Sequence, residues 1–285
     1  MKNRKIFAIG ETVLDIIFKE NEPCAARPGG SSLNTLVSLG RAGLPVFMIS
    51  EWGADKPGRI IKTFLQQNNV STDYIYEFEH EQTALALAFL DTNNDATYEF
   101  YKKYPEKRLQ IPLPKFTPND IFLFSSFFAV NKSIRPILLH LLEQAKKAGA
   151  IILYDPNFRR NRIHTVPELK SFILQNIEFA DIVRGSDEDF RNIFHSTTPH
   201  ETYKHIKNAG CANLVYTTGK QGVYLFSNDL EKHYDVPDIN PVSTIGAGDN
   251  FNAGLIFELY KNTLVANHLL NLPESMWDKM MQRGI

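Results

Sequence analysis

Across residues 133–157 the chain passes from a helical period straight into a buried-strand run, and no other feature constrains its fold as strongly. Ile134, Ile137, Leu138, Leu141, Leu142 and Ala145 fall in the i, i+3, i+4, i+7, i+8, i+11 series of one helix face. Ser133 reads as the N-cap, and Gly149, after Lys146 and Lys147, as the stop. Residues 150–154 (AIILY) then form a short apolar run bounded by Asp155, Pro156 and Asn157. The same alternation recurs elsewhere. Residues 5–10, 45–50, 181–183 and 213–217 read as strands, and 32–43 and 58–67 as helices, the latter with Ile60, Ile61, Phe64 and Leu65 as its apolar stripe. Strands separated by helices of this length build βαβ units, so the expected class is α/β, with a central, mostly parallel sheet covered by helices on both faces.

Two segments break the rhythm. Residues 12–21 continue in extended-looking sequence, and 83–101 read as two strands around the turn-rich 91–95. Antiparallel β-structure inserted into a parallel frame suits a small lid over the ligand edge. The expectation is one domain over 1–285, with a lid drawn from segments about 12–27 and 72–104. Composition limits what else the chain can be. Lys and Arg number 31 against 32 Asp and Glu, a net charge of −1, which argues against a broad nucleic-acid footprint. Two distant cysteines, Cys24 and Cys211, make neither a disulfide framework nor a metal-binding pair and fit a reducing compartment. The longest apolar stretches fall short of the roughly 18 residues of a membrane span, and the apolar run at 6–9 is too short for a signal core. A cytoplasmic location and no membrane partner are therefore expected.

The chemistry concentrates at glycines. In residues 243–254 (STIGAGDNFNAG), Gly246, Ala247 and Gly248 precede Asp249 where a helix can begin. Backbone N–H groups converge at such a start and attract an anion, while an adjacent carboxylate can take a proton from an incoming hydroxyl. Phosphoryl transfer needs that combination. The same residues also serve as an ordinary turn and early-helix acid. Residues 28–34 (PGGSSLN) open another helix, where Gly30 permits close approach and Asn34 can donate to and accept from hydroxyls. Gly10, Glu11 and Asp15 follow the first strand, at the sheet edge where open α/β folds bind ligands. Asn157 and Arg159 offer donors after a buried strand, and Thr217, Gly219 and Gly222 mark a glycine turn. There is no GxxxxGK[ST] loop, no GxGxxG after the first strand, no HExxH and no GxSxG.

Taken together, residues 29–58 (GGSSLNTLVSLGRAGLPVFMISEWGADKPG) and 243–254 resemble the two signatures of the ribokinase-like, or pfkB, carbohydrate kinases. The DPNxR at 155–159 and TxGxxG at 217–222 add to the likeness, which spans nearly the whole chain. Glu11, Asp15, residues 99–101 and residues 186–188 point toward the fructokinases within the family. The resemblance implies a ribokinase-like fold with a β lid that often dimerises, here a homodimer. It implies ATP with Mg²⁺ as co-substrate and cofactor, and a sugar as acceptor. By position, Asp249 matches the base and Gly246, Ala247 and Gly248 the anion hole. Asp15, Gly30, Ser31, Asn34, Phe100, Lys102, Asn157 and Arg159 match sugar-side positions. Ser186, Asp189, Thr217, Gly219 and Gly222 match nucleotide-side positions.

Three residues depart from the family pattern. Ser243 replaces an Asp of the monovalent-cation site, so activity is expected to change little between sodium and potassium buffers. The NxxE motif reads Ser186 to Asp189 without its Asn, and Lys102 stands where an Arg is usual, keeping the charge without the bidentate fork. The family also carries a further helix walling the adenine pocket, beyond a segment such as 276–282. The expected activity is phosphorylation of D-fructose on its primary 6-hydroxyl. Ribose, 2-keto-3-deoxygluconate or a nucleoside are alternative acceptors, and a non-catalytic sugar-binding protein of the same fold is the alternative of another class.

Overall fold

The computed structural model describes residues 4–91, 96–158, 165–239 and 246–285. Arg159, residues 243–245 of the second signature, and the turn at 92–95 lie outside them. Five apolar segments form the middle of a nine-stranded sheet: β1 (Ile6–Ile9), β4 (Val46–Gly53), β8 (Ile121–Ser125), β9 (Ile151–Asp155) and β10 (Ile182–Ser186). Parallel β5 (Val70–Phe78) lies at one edge beside β4. Parallel β11 (Asn213–Thr217) continues the sheet from β10, and antiparallel β12 (Val223–Ser227) and β13 (Leu230–Tyr234) close the other edge.

Alternate residues of the central strands feed two cores, because side chains on a strand point to opposite faces. Ile6, Ala8, Ile121, Leu123, Ile151 and Leu153 pack on one side, under α1 (Ser31–Arg41), α2 (Lys56–Gln67), α7 (Ala247–Lys261) and α8 (Glu274–Gly284). Phe7, Ile9, Phe122, Phe124, Ile152 and Tyr154 pack on the other, under α3 (Arg135–Ala148), α4 (Val166–Phe179), α5 (Asp187–Phe194) and α6 (Pro199–Asn208). With both faces buried, the strands read as continuous apolar runs rather than alternating ones. The segment at 276–282 is itself most of α8, which seats Trp277, Met280 and Met281 fully buried against α7.

A second sheet of four strands contains β2 (Val13–Lys19), β3 (Glu22–Gly29), β6 (Leu85–Leu90) and β7 (Ala96–Tyr101), in the order β3-β2-β6-β7. The segment at 12–27 meets this sheet, but that at 72–104 does so only from β6 onward. Residues 72–78 belong to β5 of the large sheet, because Tyr74 to Phe78 pair in parallel with Ile49 to Gly53.

Two local expectations also differ. Ser133 does not cap α3; the N-cap position is Ile134, without a side-chain cap, and Pro136 sits in the first turn, where its missing N–H is harmless. Gly149 does end the helix in the left-handed region, at φ 78°. Ile60 is 47% exposed, since Ile61 and Leu65 alone turn fully inward on α2.

Candidate active site

Glu11, Ser125, Asp155, Ser186 and Thr217 stand at or just beyond the C-terminal ends of β1, β8, β9, β10 and β11, strands that are neighbours in the sheet. Two helices begin above this edge. Gly30 is the N-cap of α1 at φ 133°, and a Cβ there would lie 2.3 Å from the Glu11 carbonyl oxygen, so only glycine fits. Gly246 is the N-cap of α7 at φ 80°, and none of the described residues comes within 4 Å of where a side chain would begin. The first N–H groups of α7 have no intrahelical acceptor by geometry, and they join the positive end of the helix dipole.

Asp249 sits in the first turn of α7 and is 8% exposed. Ser31 Oγ donates to its Oδ1 at 2.6 Å and Asn34 Nδ2 to its Oδ2 at 2.8 Å. Thr35 Oγ1 donates to its carbonyl oxygen at 3.1 Å. The helix start at Gly30 thus orients the carboxylate at the start of α7. One cavity is lined by Asn157, Arg184, Ser186, Asp189, Gly246, Gly248 and Asp249, so it brings together residues that the sequence resemblance assigns to the sugar, to the nucleotide and to catalysis. Ala247 is the first residue of α7 between the two glycines. Asn157 adopts φ 40°, a conformation Asn tolerates, and its N–H donates to Asp155 Oδ1 at 3.0 Å.

Arg184 and Asn252 were given no role from sequence, and Asp155 entered only as the first residue of DPNxR, yet Arg184 lines this cavity and hydrogen bonds to Asp155 join the three. Arg184 donates to Asp155 Oδ2 and to Thr217 Oγ1, both at 3.1 Å, and Asn252 Nδ2 donates to Asp155 Oδ2 at 2.6 Å. Burial raises the Asp155 pKa, and Arg184 opposes that rise. A Cβ at Gly248 would lie 2.5 Å from Arg184 Nη1, so glycine is what lets the guanidinium lie against α7. The available signal was a charge within the buried run at 182–186 (IVRGS), and an Asn at i+3 from Asp249 on one helix face.

Ser186 and Asp189 form a capping box at the start of α5. Asp189 Oδ1 accepts from Phe158 N–H at 2.5 Å, and Oδ2 from Ser186 N–H at 2.7 Å and Ser186 Oγ at 2.6 Å. Both oxygens thus already serve the turn. Thr217 reaches the cavity through Arg184, whereas Gly219 and Gly222 lie farther along the turn from β11 to β12, at φ 59° and 100°. Among the described residues, no group of three or more His, Cys, Asp or Glu side chains is placed to hold a metal ion.

A second cluster lies on the Gly29–Gly30 side. Asp15 packs so closely on Gly29 that a Cβ there would meet its Oδ2 at 2.1 Å. Lys102 pairs with Glu11, and its ammonium lies 4.3 Å from the Phe100 ring centroid. Phe100 stacks on Tyr98 and is 41% exposed. Burial raises the Asp15 carboxyl to about 6, with Lys102 pulling the other way.

A family model described as pfkB family carbohydrate kinase matches residues 3–269. Fructokinase of Vibrio alginolyticus is 24% identical over 266 residues, covering 93% of this chain and 87% of that protein. Aminoimidazole riboside kinase of Salmonella typhimurium is 24% identical over 258 residues, covering 90% and 81%. A crystal structure of a fructokinase double mutant from Vibrio cholerae, bound to fructose, ADP and potassium, superposes with a TM-score of 0.85 at 20% identity, covering 99% of this chain and 89% of that one. The match defines the class, a phosphotransferase with an alcohol group as acceptor. The chain belongs to the pfkB family of carbohydrate kinases, and it is a sugar kinase of that family.

Proposed function

We propose that the chain is an ATP-dependent kinase that phosphorylates D-fructose on its 6-hydroxyl. The observation that carries this reading is Asp249, held by Ser31 and Asn34 at the glycine-flanked start of α7. Asp249 accepts the proton of the acceptor hydroxyl as that oxygen attacks phosphorus. The amides of Gly246 to Gly248 and the helix dipole stabilise the charge spread over the phosphoryl oxygens. Gly30, Ser31 and Asn34 orient the base, Asp15 accepts from vicinal hydroxyls of the sugar, and Phe100 and Lys102 line its other side. Asn157, on the cavity wall, donates between sugar and phosphate, and Arg159 is assigned to the same task by its place in the DPNxR motif alone. Thr217, Gly219 and Gly222 form the nucleotide turn, and Arg184 supports it from below.

Nucleotide phosphate fits the donor set. The start of α7 offers amides, none of the described residues comes within 4 Å of where a Gly246 side chain would begin, and Arg184 Nε has no acceptor among them. Mg²⁺ fits as an ion carried chiefly by the phosphates, since Asp189 already gives both oxygens to protein donors. When bound, it would neutralise charge on the phosphate oxygens. The small sheet acts as a lid that limits water as a competing acceptor, and two lids pairing would form a homodimer. No potassium requirement is proposed, because Ser243 stands at the family's cation position.

The acceptor is tested by kcat/KM for D-fructose, ribose, 2-keto-3-deoxygluconate and aminoimidazole riboside at fixed ATP, since specificity is a ratio of those values. Fructose leading the panel supports the reading, and a riboside leading it replaces fructose. Asp15 adds a pH prediction. Its carboxyl is charged above about 6 and protonated below, so acceptor KM rises as pH falls through that value while ATP KM stays level. Asp15→Asn should show a high acceptor KM with no step near pH 6. A step that persists in the variant contradicts this role.

A further inference from the structure

We propose that Glu51, Arg108 and Tyr104 form a relay, rooted in the buried Glu51–Arg108 pair, that positions Glu11 and Lys102 on the acceptor side, which makes Tyr104 a positioning residue for sugar binding. The inference rests on the sugar-kinase reading for its ligand and goes beyond it in assigning residues. Glu51, on β4, is 2% exposed and pairs with Arg108, itself buried. Its Oε2 also accepts from the Leu109 N–H at 2.9 Å. These contacts pin Leu109 at φ 45°, a costly conformation for a side chain without a local polar partner.

Arg108 stacks 3.9 Å from the centroid of Tyr104. The Tyr104 hydroxyl donates to Glu11 Oε1 at 2.6 Å, and Lys102 pairs with the other oxygen of Glu11. Burial and the Glu11 carboxylate push the phenol's pKa up, so it remains a donor. The relay therefore runs from the body of the large sheet, through the segment that returns from β7, to the residue whose carbonyl contacts Gly30. Ser31, the next residue, holds Asp249.

Stability alone does not account for this arrangement. A buried ion pair stabilises no better than well-packed apolar side chains of similar volume. Here the cost is borne together with backbone strain, and both are spent where the chain meets the acceptor. The relay fixes two charges, Lys102 and Glu11, in a geometry that flexible side chains would otherwise leave free.

The test is Tyr104→Phe, which keeps the ring over Arg108 and removes only the hydroxyl. D-fructose affinity is read by titration calorimetry, with ribose as a second probe, beside KM and kcat for acceptor and ATP. Sugar Kd and acceptor KM should rise about 10-fold, the shift expected for one charge-assisted hydrogen bond, with kcat and ATP KM within about twofold. The paired Glu51→Gln, Arg108→Met variant leaves no unpaired buried charge. It should show the same rise in sugar Kd with an unchanged or higher Tm. Unchanged sugar Kd in either variant, or an equal loss across sugar and ATP, overturns the relay. Turnover of no sugar by the wild-type protein, with sugar Kd still raised in Tyr104→Phe, overturns the kinase reading and leaves the relay standing. A wild-type protein that binds none of the acceptors in the panel overturns both.

Discussion

Asp249→Asn is expected to lower kcat by about 10²–10⁴-fold, the usual scale for loss of a general base. The substitution is nearly isosteric, yet an amide cannot accept the acceptor's proton. It also turns an NH₂ toward one of two donors, Ser31 Oγ at 2.6 Å or Asn34 Nδ2 at 2.8 Å, breaking one of these contacts. Acceptor and ATP KM should change much less than kcat, because the groups assigned to bind them are elsewhere. The fold should survive: the first turn of α7 loses one acidic group, worth about 0.3–1 kcal/mol with the dipole. Steady-state kinetics with circular dichroism as a folding control decide it. A folded variant with near-normal kcat removes Asp249 from the role of base.

Arg184→Ala is expected to be the most destabilising single change in the site. Arg184 is 8% exposed and supplies the ion-pair partner of Asp155, whose side chain is 1% exposed. Removing it leaves a buried carboxylate without its counter-ion, at a cost of about 3–5 kcal/mol. For a domain of this size that lowers Tm by roughly 10 °C. The pH dependence separates this cause from a simple loss of packing. Burial already raises the Asp155 pKa and Arg184 opposes the rise, so the variant's carboxyl moves further up. A carboxyl that holds its proton more tightly when folded than unfolded favours the folded state as pH falls. The deficit relative to wild type should therefore be largest above pH 7 and shrink toward pH 5. Thermal melts across that range are the measurement, and a deficit constant with pH would mean that packing, not charge, is what Arg184 supplies.

Fold class was legible because buried parallel strands are continuous apolar runs and the helices between them keep one apolar face. The 134–145 series is the plainest case, and it becomes α3. Boundaries were less legible. β5 carries polar residues such as Ser71, Thr72 and Asp73 because it is an edge strand, so its sequence resembles a hairpin of the small sheet. The two glycine helix starts could be read in advance, since each needs a residue type that few other positions demand. What could not be read was how they meet. Ser31 and Asn34 lie 218 and 215 residues from Asp249, and only the packing of α1 on α7 makes them its hydrogen-bond donors. Arg184 and Asn252 were hidden for the same reason, as was the role of Asp155 within its motif: each acquires meaning from partners on other elements.

The central claim is that this chain transfers a phosphoryl group to a sugar hydroxyl using Asp249. A coupled assay of ADP release with D-fructose, ATP and Mg²⁺ tests it most directly, run beside ribose and the Asp249→Ala variant. The expected result is turnover with fructose that exceeds turnover with ribose and disappears in the variant. Equal ADP release from wild type and variant, or binding of fructose with no ADP release at all, would contradict it.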